Sequence, residues 1–244
     1  MNDKIDVNKI LKTSKNYFED FISRSTYHSN AIEGSTLSFA ETYALLFDSK
    51  HSKIENADVK EIYEAINHKY ALNKVLERID KKIRILDEDF LTELNQIINH
   101  NIIYVGGYRL SSIRIIGSNK KFPLPYELEE IMTVFFEKYN ALFRQSVSMK
   151  DLACMHLEYE NIHPYPDGNG RTGRLIINYF LLSDNQVPIV IPLEKRKQYL
   201  QMMEDNDVAR LTSFFEKLQK DEMERILDFV DMELECDKQI KQYR

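Results

Sequence analysis

The chain has 244 residues, which is enough for one large domain or for a core with a small appendage. Its net charge of −6 argues against a large nonspecific nucleic-acid surface, and no apolar stretch reaches the roughly 18 residues needed to cross a bilayer. Two cysteines, Cys154 and Cys236, are too few for a disulfide framework, and this predicts a cytoplasmic protein.

Helical periodicity begins near the N-terminus. Apolar residues from Val7 to Ile22 repeat at the spacing of an amphipathic helix, with a break near Ser14. A capping box at Ser38–Glu41 predicts that another helix starts at about Phe39. Further apolar stripes at helical spacing lie at 59–70, 90–98, 128–142 and 152–162.

The turn before this capping box contains Gly34, which fits the residue that closes a preceding helix. That arrangement puts Ser29 and Glu33 one turn apart on the same helical face.

One segment departs from the helical pattern. Residues 113–123 alternate in polarity before a Gly-Ser-Asn turn, which predicts a short β-hairpin. Residues 175–182 are apolar nearly all round and predict a buried central helix. Further helices are predicted at 193–205, 211–218 and 223–234, so the architecture is mostly α with one small β-element.

The densest chemistry of the chain lies between His163 and Arg174. A helix is predicted to end near Ile162, and a buried helix is predicted to begin at about Asn169 or Gly170. The first N–H groups of that helix lack intrahelical acceptors, and the helix dipole adds positive potential. The loop therefore predicts an anion-binding site.

Side chains in the same stretch supply the groups that phosphoryl or nucleotidyl transfer requires. Arg171 and Arg174 carry forked donors suited to phosphate oxygens. Asp167 is able to hold Mg²⁺, and His163 is able to take a proton from an attacking hydroxyl. An ordinary turn would also explain Asp-Gly-Asn-Gly alone. A Ca²⁺ loop would not fit, because its later carboxylates are absent and the arginines would repel the ion.

The stretch 163–174 resembles the signature of the Fic family, His-x-Phe-x-Asp/Glu-Gly-Asn-Gly-Arg-x-x-Arg. It departs at one fixed position, where Tyr165 replaces the usual Phe; a tyrosine fits that core position if its hydroxyl finds a partner. The resemblance covers about 90–218 and implies a Fic-type helical bundle with a small β-hairpin flap. Three regions are expected. The first is an N-terminal helical region at 1–85, which contains an inhibitory helix at about 24–34. The second is a Fic core at 86–220, which contains the flap at 113–125 and the signature loop at 163–174, and the third is a C-terminal helix at 221–244.

The resemblance implies transfer of AMP from ATP to a Ser, Thr or Tyr hydroxyl of a target protein, with release of pyrophosphate. His163 would be the general base, and Asp167 would coordinate the Mg²⁺ that bridges the ATP phosphates. Arg174 would hold the γ-phosphate, with Arg171 in support. The other nucleotide-binding residues that the resemblance implies are Gly168, Asn169, Gly170, Thr172, Gly173 and Tyr199.

Two of these assignments extend beyond the signature itself. Tyr199 falls roughly where the family builds its adenine pocket, although its spacing alone is typical of an aromatic core residue. The predicted hairpin sits where the family has its flap, which docks the target backbone by strand addition. The expected contact positions are Ile115, Ile116 and Gly117, with an ordinary surface hairpin as the alternative.

Gly170 bears on the type of reaction. The Doc branch of the family, which phosphorylates its target, has a lysine at this position. A bulky cation there would change how the triphosphate lies. Gly170 therefore favours AMP transfer over phosphorylation.

The segment 29–34, Ser-Asn-Ala-Ile-Glu-Gly, resembles the autoinhibitory motif of the family, Ser/Thr-x-x-x-Glu-Gly/Asn. The resemblance implies that Glu33 pairs with Arg174, supported by Ser29, until that helix is pulled away. ATP phosphates would then be misplaced, and a small misplacement suppresses chemistry strongly. The alternative is a solvated helix end closed by Gly34.

We therefore expect an autoinhibited protein adenylyltransferase that uses ATP as substrate and Mg²⁺ as cofactor. De-AMPylation, transfer of another nucleotide or phosphate-linked group at the same site, and a nonenzymatic nucleotide-sensing role stay open as alternatives. The expected partner is a target protein of unknown identity, and neither nucleic acid nor membrane is expected. Self-modification and a homo-oligomer are both compatible with the sequence.

Overall fold

The computed structural model describes residues 5–48, 57–114, 120–142, 144 and 146–242. These residues form ten α-helices and two short 3-10 turns, at Pro125–Glu127 and Leu193–Lys195. The mostly α architecture is confirmed. The helices are α1 (Val7–Thr13), α2 (Lys15–Ile32), α3 (Phe39–Phe47), α4 (Val59–Asp80), α5 (Glu88–Ile98), α6 (Leu128–Leu142), α7 (Met149–Ile162), α8 (Asn169–Ser183), α9 (Arg196–Glu204) and α10 (Val208–Gln242).

Local caps set the start and end of the helix that carries the expected inhibitory motif. Ser14 separates α1 from α2, and its side chain accepts a hydrogen bond from the backbone N–H of Tyr17. Glu33 is the C-cap of α2, directly after Ile32, and Gly34 follows it at a φ of +106°. That left-handed backbone favours glycine. Glu33 is therefore held at the end of a helix, one turn after Ser29.

Helix α8 forms the centre of the molecule. Every residue from Leu175 to Leu182 is buried. Helices α2, α4, α5 and α7 pack against α8, and α10 packs along α7. One hydrophobic core continues from Val7 near the N-terminus to Ile226 on α10. The expected N-terminal region thus shares its core with the helices that carry the signature.

The prediction of separate helices at 211–218 and 223–234 is wrong, because both belong to the continuous helix α10. The intervening residues 219–222 contain neither Gly nor Pro, so nothing in them ends a helix. Glu222 is also buried and accepts two hydrogen bonds from Arg24 on α2. The expected boundary at 221 falls inside this helix.

The predicted hairpin has no strand in the residues that the structure describes. Residues 113, 114 and 120–124 form no regular secondary structure. The predicted contact positions Ile115, Ile116 and Gly117 lie outside the described residues. Elsewhere, no helix in the described part of the chain is both long and apolar enough to span a bilayer.

Candidate active site

The signature loop connects α7 to α8 through two left-handed residues. His163 follows the last residue of α7 with φ +50° and ψ +61°. Gly168 precedes α8 with φ +77°, and a Cβ atom there would lie 2.9 Å from both Asn99 Nδ2 and Ile98 Cγ2. Glycine fits both the backbone angle and the space. No side chain caps the N-terminus of α8, so its first N–H groups remain available to an anion.

Asparagine side chains hold this loop in shape. Asn169 accepts from the backbone N–H of Tyr165 at 2.9 Å and donates to its carbonyl at 2.8 Å. Asn95 on α5 and Asn99, the C-cap of that helix, donate to the carbonyl of Asp167 at 3.0 and 3.2 Å. Such paired buried groups rigidify the backbone. The Asn169 side chain therefore supports the loop, and its amide is not directed at a ligand.

Tyr165 replaces the usual Phe without leaving its hydroxyl unpaired. The ring is fully buried, and the hydroxyl oxygen lies 2.9 Å from Thr92 Oγ1 on α5. This contact satisfies the one polar atom that the substitution adds to the core. The sequence indicated that a partner was needed, but no pattern in it pointed to Thr92.

The imidazole of His163 is mostly buried at the wall of a cavity. Burial lowers the pKa of His163; a backbone hydrogen bond with Glu160 opposes this shift, and the charge of Arg109 adds to it. Nδ1 is buried and lies 3.8 Å from Glu160 Oε2, so Nε2 is the nitrogen left to face a substrate. A neutral imidazole in this position is suited to accept a proton.

The guanidinium of Arg174 is held by the C-terminal end of α2. Its Nε donates to Ser29 Oγ at 2.9 Å, and its Nη2 donates to the Ser29 carbonyl at 2.9 Å and to Glu33 Oε1 at 2.7 Å. Burial opposes ionisation of Glu33, but the charge and hydrogen bond of Arg174 outweigh it and lower the pKa of Glu33. A Cβ atom on Gly170 would collide with Glu33 Oε1. A carboxylate therefore lies directly against the first turn of α8.

The other arginine of the signature, Arg171, is paired inside the protein. Its Nη1 donates to Glu64 Oε1 on α4 at 3.0 Å, and its Nη2 donates to Asp167 Oδ1 at 3.4 Å. The Arg171 side chain is buried. Arg171 thus holds the carboxylate of Asp167 in place. Glu64 has no signal in the sequence, because it lies 107 residues away on another helix.

Asp167 is the one residue predicted to hold a metal. The described residues contain no group of three His, Cys, Asp or Glu side chains that could hold an ion. Asp167 Oδ1 accepts from Gly168 N at 2.6 Å, whereas no described residue donates to Oδ2, and the side chain is 41% exposed. Mg²⁺ is commonly bound by one or two carboxylates together with substrate phosphates. The donor set fits Mg²⁺ that arrives with a nucleotide, and it does not fit a metal held by protein alone.

A cavity of about 680 Å³ opens beside these groups, a size suited to a small-molecule ligand. Two other predicted residues face away from it. Thr172 is buried and accepts from Asn95 Nδ2 at 3.1 Å, and Gly173 lies against His156 and Glu160 on α7. The predicted site residues that line the cavity are Glu33, His163, Gly170, Arg174 and Tyr199.

Tyr199 lines the cavity, but only a small part of its side-chain surface is exposed there. It is 2% exposed, its hydroxyl oxygen lies 2.5 Å from His156 Nε2, and the two rings stack with centroids 5.8 Å apart. Burial lowers the pKa of His156 to about 3, so this imidazole is neutral. Tyr199 forms part of the cavity wall, with one ring face covered by His156.

Several charged residues of the cavity were missed by the sequence reasoning. Glu160 on α7 is buried beside His163, and burial raises the pKa of Glu160 to about 7. Its position three residues before the histidine, on the same helical face, was a usable signal. The other charged residues that line the cavity lie in distant segments and gave no such signal: Lys120, Arg196, Lys197 and Glu204.

Residues 85–181 match the model of the Fic/DOC family. A similar curated protein is the protein adenylyltransferase Fic of Drosophila willistoni, 26% identical over 216 residues, which are 86% of this chain and 42% of that protein. The protein of the same name from Drosophila grimshawi is 28% identical over 193 residues, which are 77% of this chain and 39% of that protein. The chain spans about two fifths of the length of these relatives.

Solved structures agree on the fold. A Fic domain containing signaling protein from Bacteroides thetaiotaomicron has a TM-score of 0.83 at 24% identity, covering 92% of this chain and 95% of that one. Fic-1 from C. elegans has a TM-score of 0.76 at 21% identity, covering 96% of this chain and 69% of that one. These likenesses establish the helical fold, and the resemblance drawn from the signature is confirmed. Over residues 85–181, this chain is therefore similar to the Fic/DOC family.

Proposed function

We propose that this chain is an autoinhibited protein adenylyltransferase, which transfers AMP from ATP to a Ser, Thr or Tyr hydroxyl of a target protein. The observation that carries this proposal is the meeting of a neutral imidazole, a buried arginine and the uncapped N-terminus of α8 around one cavity. The printed name of the Drosophila relatives, protein adenylyltransferase Fic, supports the same activity.

His163 acts as the general base. Its lowered pKa keeps the imidazole unprotonated at neutral pH, so it accepts the proton of the target hydroxyl. The hydroxyl oxygen then forms a bond to the α-phosphorus of ATP. The bond from that phosphorus to the β-phosphate oxygen breaks, and pyrophosphate leaves. Positioning and charge neutralisation account for most of the acceleration in such a reaction.

The phosphates bind at the first turn of α8. The N–H groups after Gly168 donate to phosphate oxygens, and Arg174 holds the γ-phosphate through its forked guanidinium. Asp167, fixed by Arg171, has one carboxylate oxygen left to hold Mg²⁺. When bound, that ion would neutralise charge on the phosphates. Gly170 leaves room at this turn, which favours AMP transfer over phosphorylation.

Glu33 competes with ATP for the same donors. Its carboxylate pairs with Arg174 and lies against Gly170, where the terminal phosphates would bind. ATP that binds beside an occupied Arg174 has its phosphates displaced, and the α-phosphorus is then out of line with the hydroxyl. The brake is intramolecular, because Ser29 and Glu33 belong to α2 of the same chain.

A second candidate is removal of AMP from a modified target, or transfer of another phosphate-linked group, at the same site. Glu33 and His163 line one cavity, so a water molecule could be oriented between two groups able to accept protons. A nonenzymatic nucleotide-sensing role is less favoured, because no observation requires it.

We further propose that different segments of the chain have different functions and that the protein is located in the cytoplasm. Residues 1–85 would carry the brake and 86–220 the catalytic core, and the C-terminal helix expected at 221–244 would continue the helix α10 that begins at Val208. The two cysteines favour a reducing compartment. Self-modification is tested by labelling without an added target, and a homo-oligomer by size-exclusion chromatography.

The proposal is tested with ATP radiolabelled at either the α- or the γ-phosphorus. Wild type, Glu33→Gly and the double variant Glu33→Gly/His163→Ala are each incubated with Mg²⁺ and a cell lysate. We expect Glu33→Gly to label protein roughly tenfold faster than wild type or more, only from the α-label, and the double variant to label none. Transfer of the γ-label would overturn AMP transfer, and equal rates for wild type and Glu33→Gly would overturn the brake.

A further inference from the structure

Arg109 is a buried arginine that has no carboxylate partner among the described residues. It is 3% exposed, and burial lowers its pKa. Its Nε donates to the carbonyl of His163 at 2.9 Å. Its Nη1 donates to the carbonyl of Ser111 at 3.0 Å, and its Nη2 donates to that of Pro123 at 2.7 Å. A charge buried at such cost, whose side-chain hydrogen bonds to the described residues all go to backbone carbonyls, calls for an explanation.

These carbonyls belong to two separate parts of the chain. Ser111 and Pro123 flank the segment 112–122 on its two sides, and His163 begins the signature loop. The backbone N–H of Arg109 also donates to the carbonyl of Pro164 at 2.8 Å. One residue thus ties both ends of the segment 112–122 to two successive peptide units of the signature loop.

Only an arginine side chain fits this set of acceptors. A guanidinium presents five N–H donors in a rigid, planar fork, so it reaches three carbonyls that lie in different directions. The acceptors lie outside regular secondary structure, where no ladder of hydrogen bonds would satisfy them. A lysine ammonium offers three donors from one point and would leave part of this set unpaired.

The contacts fix the conformation of the proposed base. His163 has a φ of +50°, which is uncommon for a residue with a Cβ atom and persists only where its surroundings enforce it. On one side, its N–H donates to the carbonyl of Tyr159 at 2.9 Å. On the other side, Arg109 binds the carbonyls of His163 and Pro164. Arg109 therefore helps to set the direction in which the imidazole leaves the backbone.

The same guanidinium fixes a residue that faces the imidazole. Phe122 meets His163 edge-on, with ring centroids 5.5 Å apart, and both line the cavity. Phe122 directly precedes Pro123, whose carbonyl is bound by Arg109. A shift of Arg109 would move the base and the segment beside it together.

We propose that Arg109 is a positioning residue for the transfer reaction. Arg109 holds His163 and both ends of the segment 112–122 in fixed positions relative to each other. A target hydroxyl that enters the cavity beside His163 and Phe122 then meets the imidazole at the distance that proton transfer requires. Arg109 does not line the cavity; its side chain holds backbone carbonyls, and its charge also lowers the pKa of His163. The inference rests on the proposed function, and the experiment separates the two.

The test compares Arg109→Lys with a matched control in the Glu33→Gly background. The control is Arg78→Lys, because Arg78 is also mostly buried and donates to a loop carbonyl, that of Ile85, but lies away from the cavity. We expect Arg109→Lys to lower kcat for protein labelling roughly 100-fold, with the KM for ATP changed less than about threefold. Arg78→Lys should keep the kcat of the parent. Arg109→Gln replaces the lysine variant if that variant does not fold.

Hydrogen exchange gives a readout that does not depend on activity. Arg109→Lys should exchange backbone amides faster at both 111–123 and 162–165, whereas Arg78→Lys should leave both unchanged. An unchanged kcat, a fall in kcat matched by lost ATP binding, or unchanged exchange in either segment would overturn the inference. If Glu33→Gly itself labels nothing, the proposed function fails, and the exchange measurement still decides the role of Arg109.

Discussion

At the scale of single residues, the proposed function makes the site a competition between two anions, the Glu33 carboxylate and an ATP phosphate, for Arg174. Glu33 is the C-cap of α2 and its side chain is 42% exposed, whereas the Arg174 side chain is 9% exposed. Ser29 contributes both its hydroxyl and its carbonyl to the same guanidinium. Loss of Glu33 therefore leaves Arg174 oriented, charged and available to a phosphate.

The charge of Glu33 can be tested separately from its shape. Glu33→Gln keeps the length of the side chain and one acceptor for Arg174, but it removes the negative charge that opposes phosphate binding. We expect it to label protein faster than wild type and more slowly than Glu33→Gly, in initial-rate assays at fixed ATP. A rate for Glu33→Gln no higher than wild type would contradict the role of charge.

The pH dependence of transfer should reflect the environment of His163. Burial lowers its pKa below the ordinary value of 6.5; the charged groups that act on the imidazole are Arg109, Glu33 and Asp167. Because only the neutral imidazole accepts a proton, the rate should hold as pH falls to about 6.5 and decline below that value. Removal of Glu33 takes away a charge that raises this pKa. A pH–rate profile of Glu33→Gly with an acidic midpoint above 6.5 would contradict this assignment.

Glu160 should affect stability in the opposite direction to an ordinary ion-paired carboxylate. Burial raises its pKa to about 7 from an ordinary 4.5, so the folded state binds its proton more tightly than the unfolded state. Its contribution is present below about pH 4.5 and is lost as pH rises towards 7. Glu160→Gln should therefore raise the free energy of unfolding more at about pH 8 than at about pH 4.5, by at most about 3 kcal/mol. Equal changes at the two pH values, measured by urea unfolding, would refute it.

The residues that the sequence identified share a local pattern, and those it missed do not. Ser29 and Glu33 are one helical turn apart, and the signature spans twelve consecutive positions. Each of these two motifs can therefore be recognised from residues that are close together in the sequence. Glu64 and Arg109 act on the signature from 107 and 54 residues away. Contacts of this kind depend on tertiary packing, and no periodic pattern in the sequence indicates which distant residues will meet.

At the scale of elements, α2 is an integral helix and not a detachable one. Its residues Phe21 and Ile22 are fully buried in the common core. Arg24 pairs with Glu222 on α10, and Arg196 donates to the carbonyl of Ile32 at 2.6 Å. Rotation of the exposed Glu33 side chain is therefore a less costly route to release than removal of the whole helix.

This view predicts that a weakened α2 does not release the brake. Arg24→Met leaves the buried carboxylate of Glu222 without its cation, which should cost about 3 kcal/mol of folding free energy. The contacts of Glu33 at the other end of the helix are unaffected. We expect a lower midpoint of urea unfolding with labelling as slow as wild type. Labelling as fast as that of Glu33→Gly would show that release follows detachment of α2.

At the scale of the whole molecule, the candidate site is assembled across the boundary of the family domain. Ser29 and Glu33 come from α2 and Glu64 comes from α4, whereas the domain itself covers 85–181. One continuous core joins these parts. The proposed brake and the candidate site thus share one hydrophobic core, and α2 and α4 pack directly against α8.

The helical architecture was predictable because amphipathic periodicity determines helices locally. The central position of α8 was predicted from its apolar surface on all sides. The predicted break near Ser14 and the capping box at Ser38 lie where two helices begin. The continuity of α10 was not predictable from periodicity, because it depends on the burial of Glu222 against α2. The described residues of the hairpin expected at 113–123 form no strand.

The most direct test of the account is the mass of the group that Glu33→Gly adds to a target protein. A labelled target is isolated from the lysate reaction, and its modified peptide is analysed by mass spectrometry. The account predicts an added mass equal to AMP less one water, on a Ser, Thr or Tyr hydroxyl. A modified peptide that instead carries a single phosphate would contradict adenylyl transfer and the reading of Gly170.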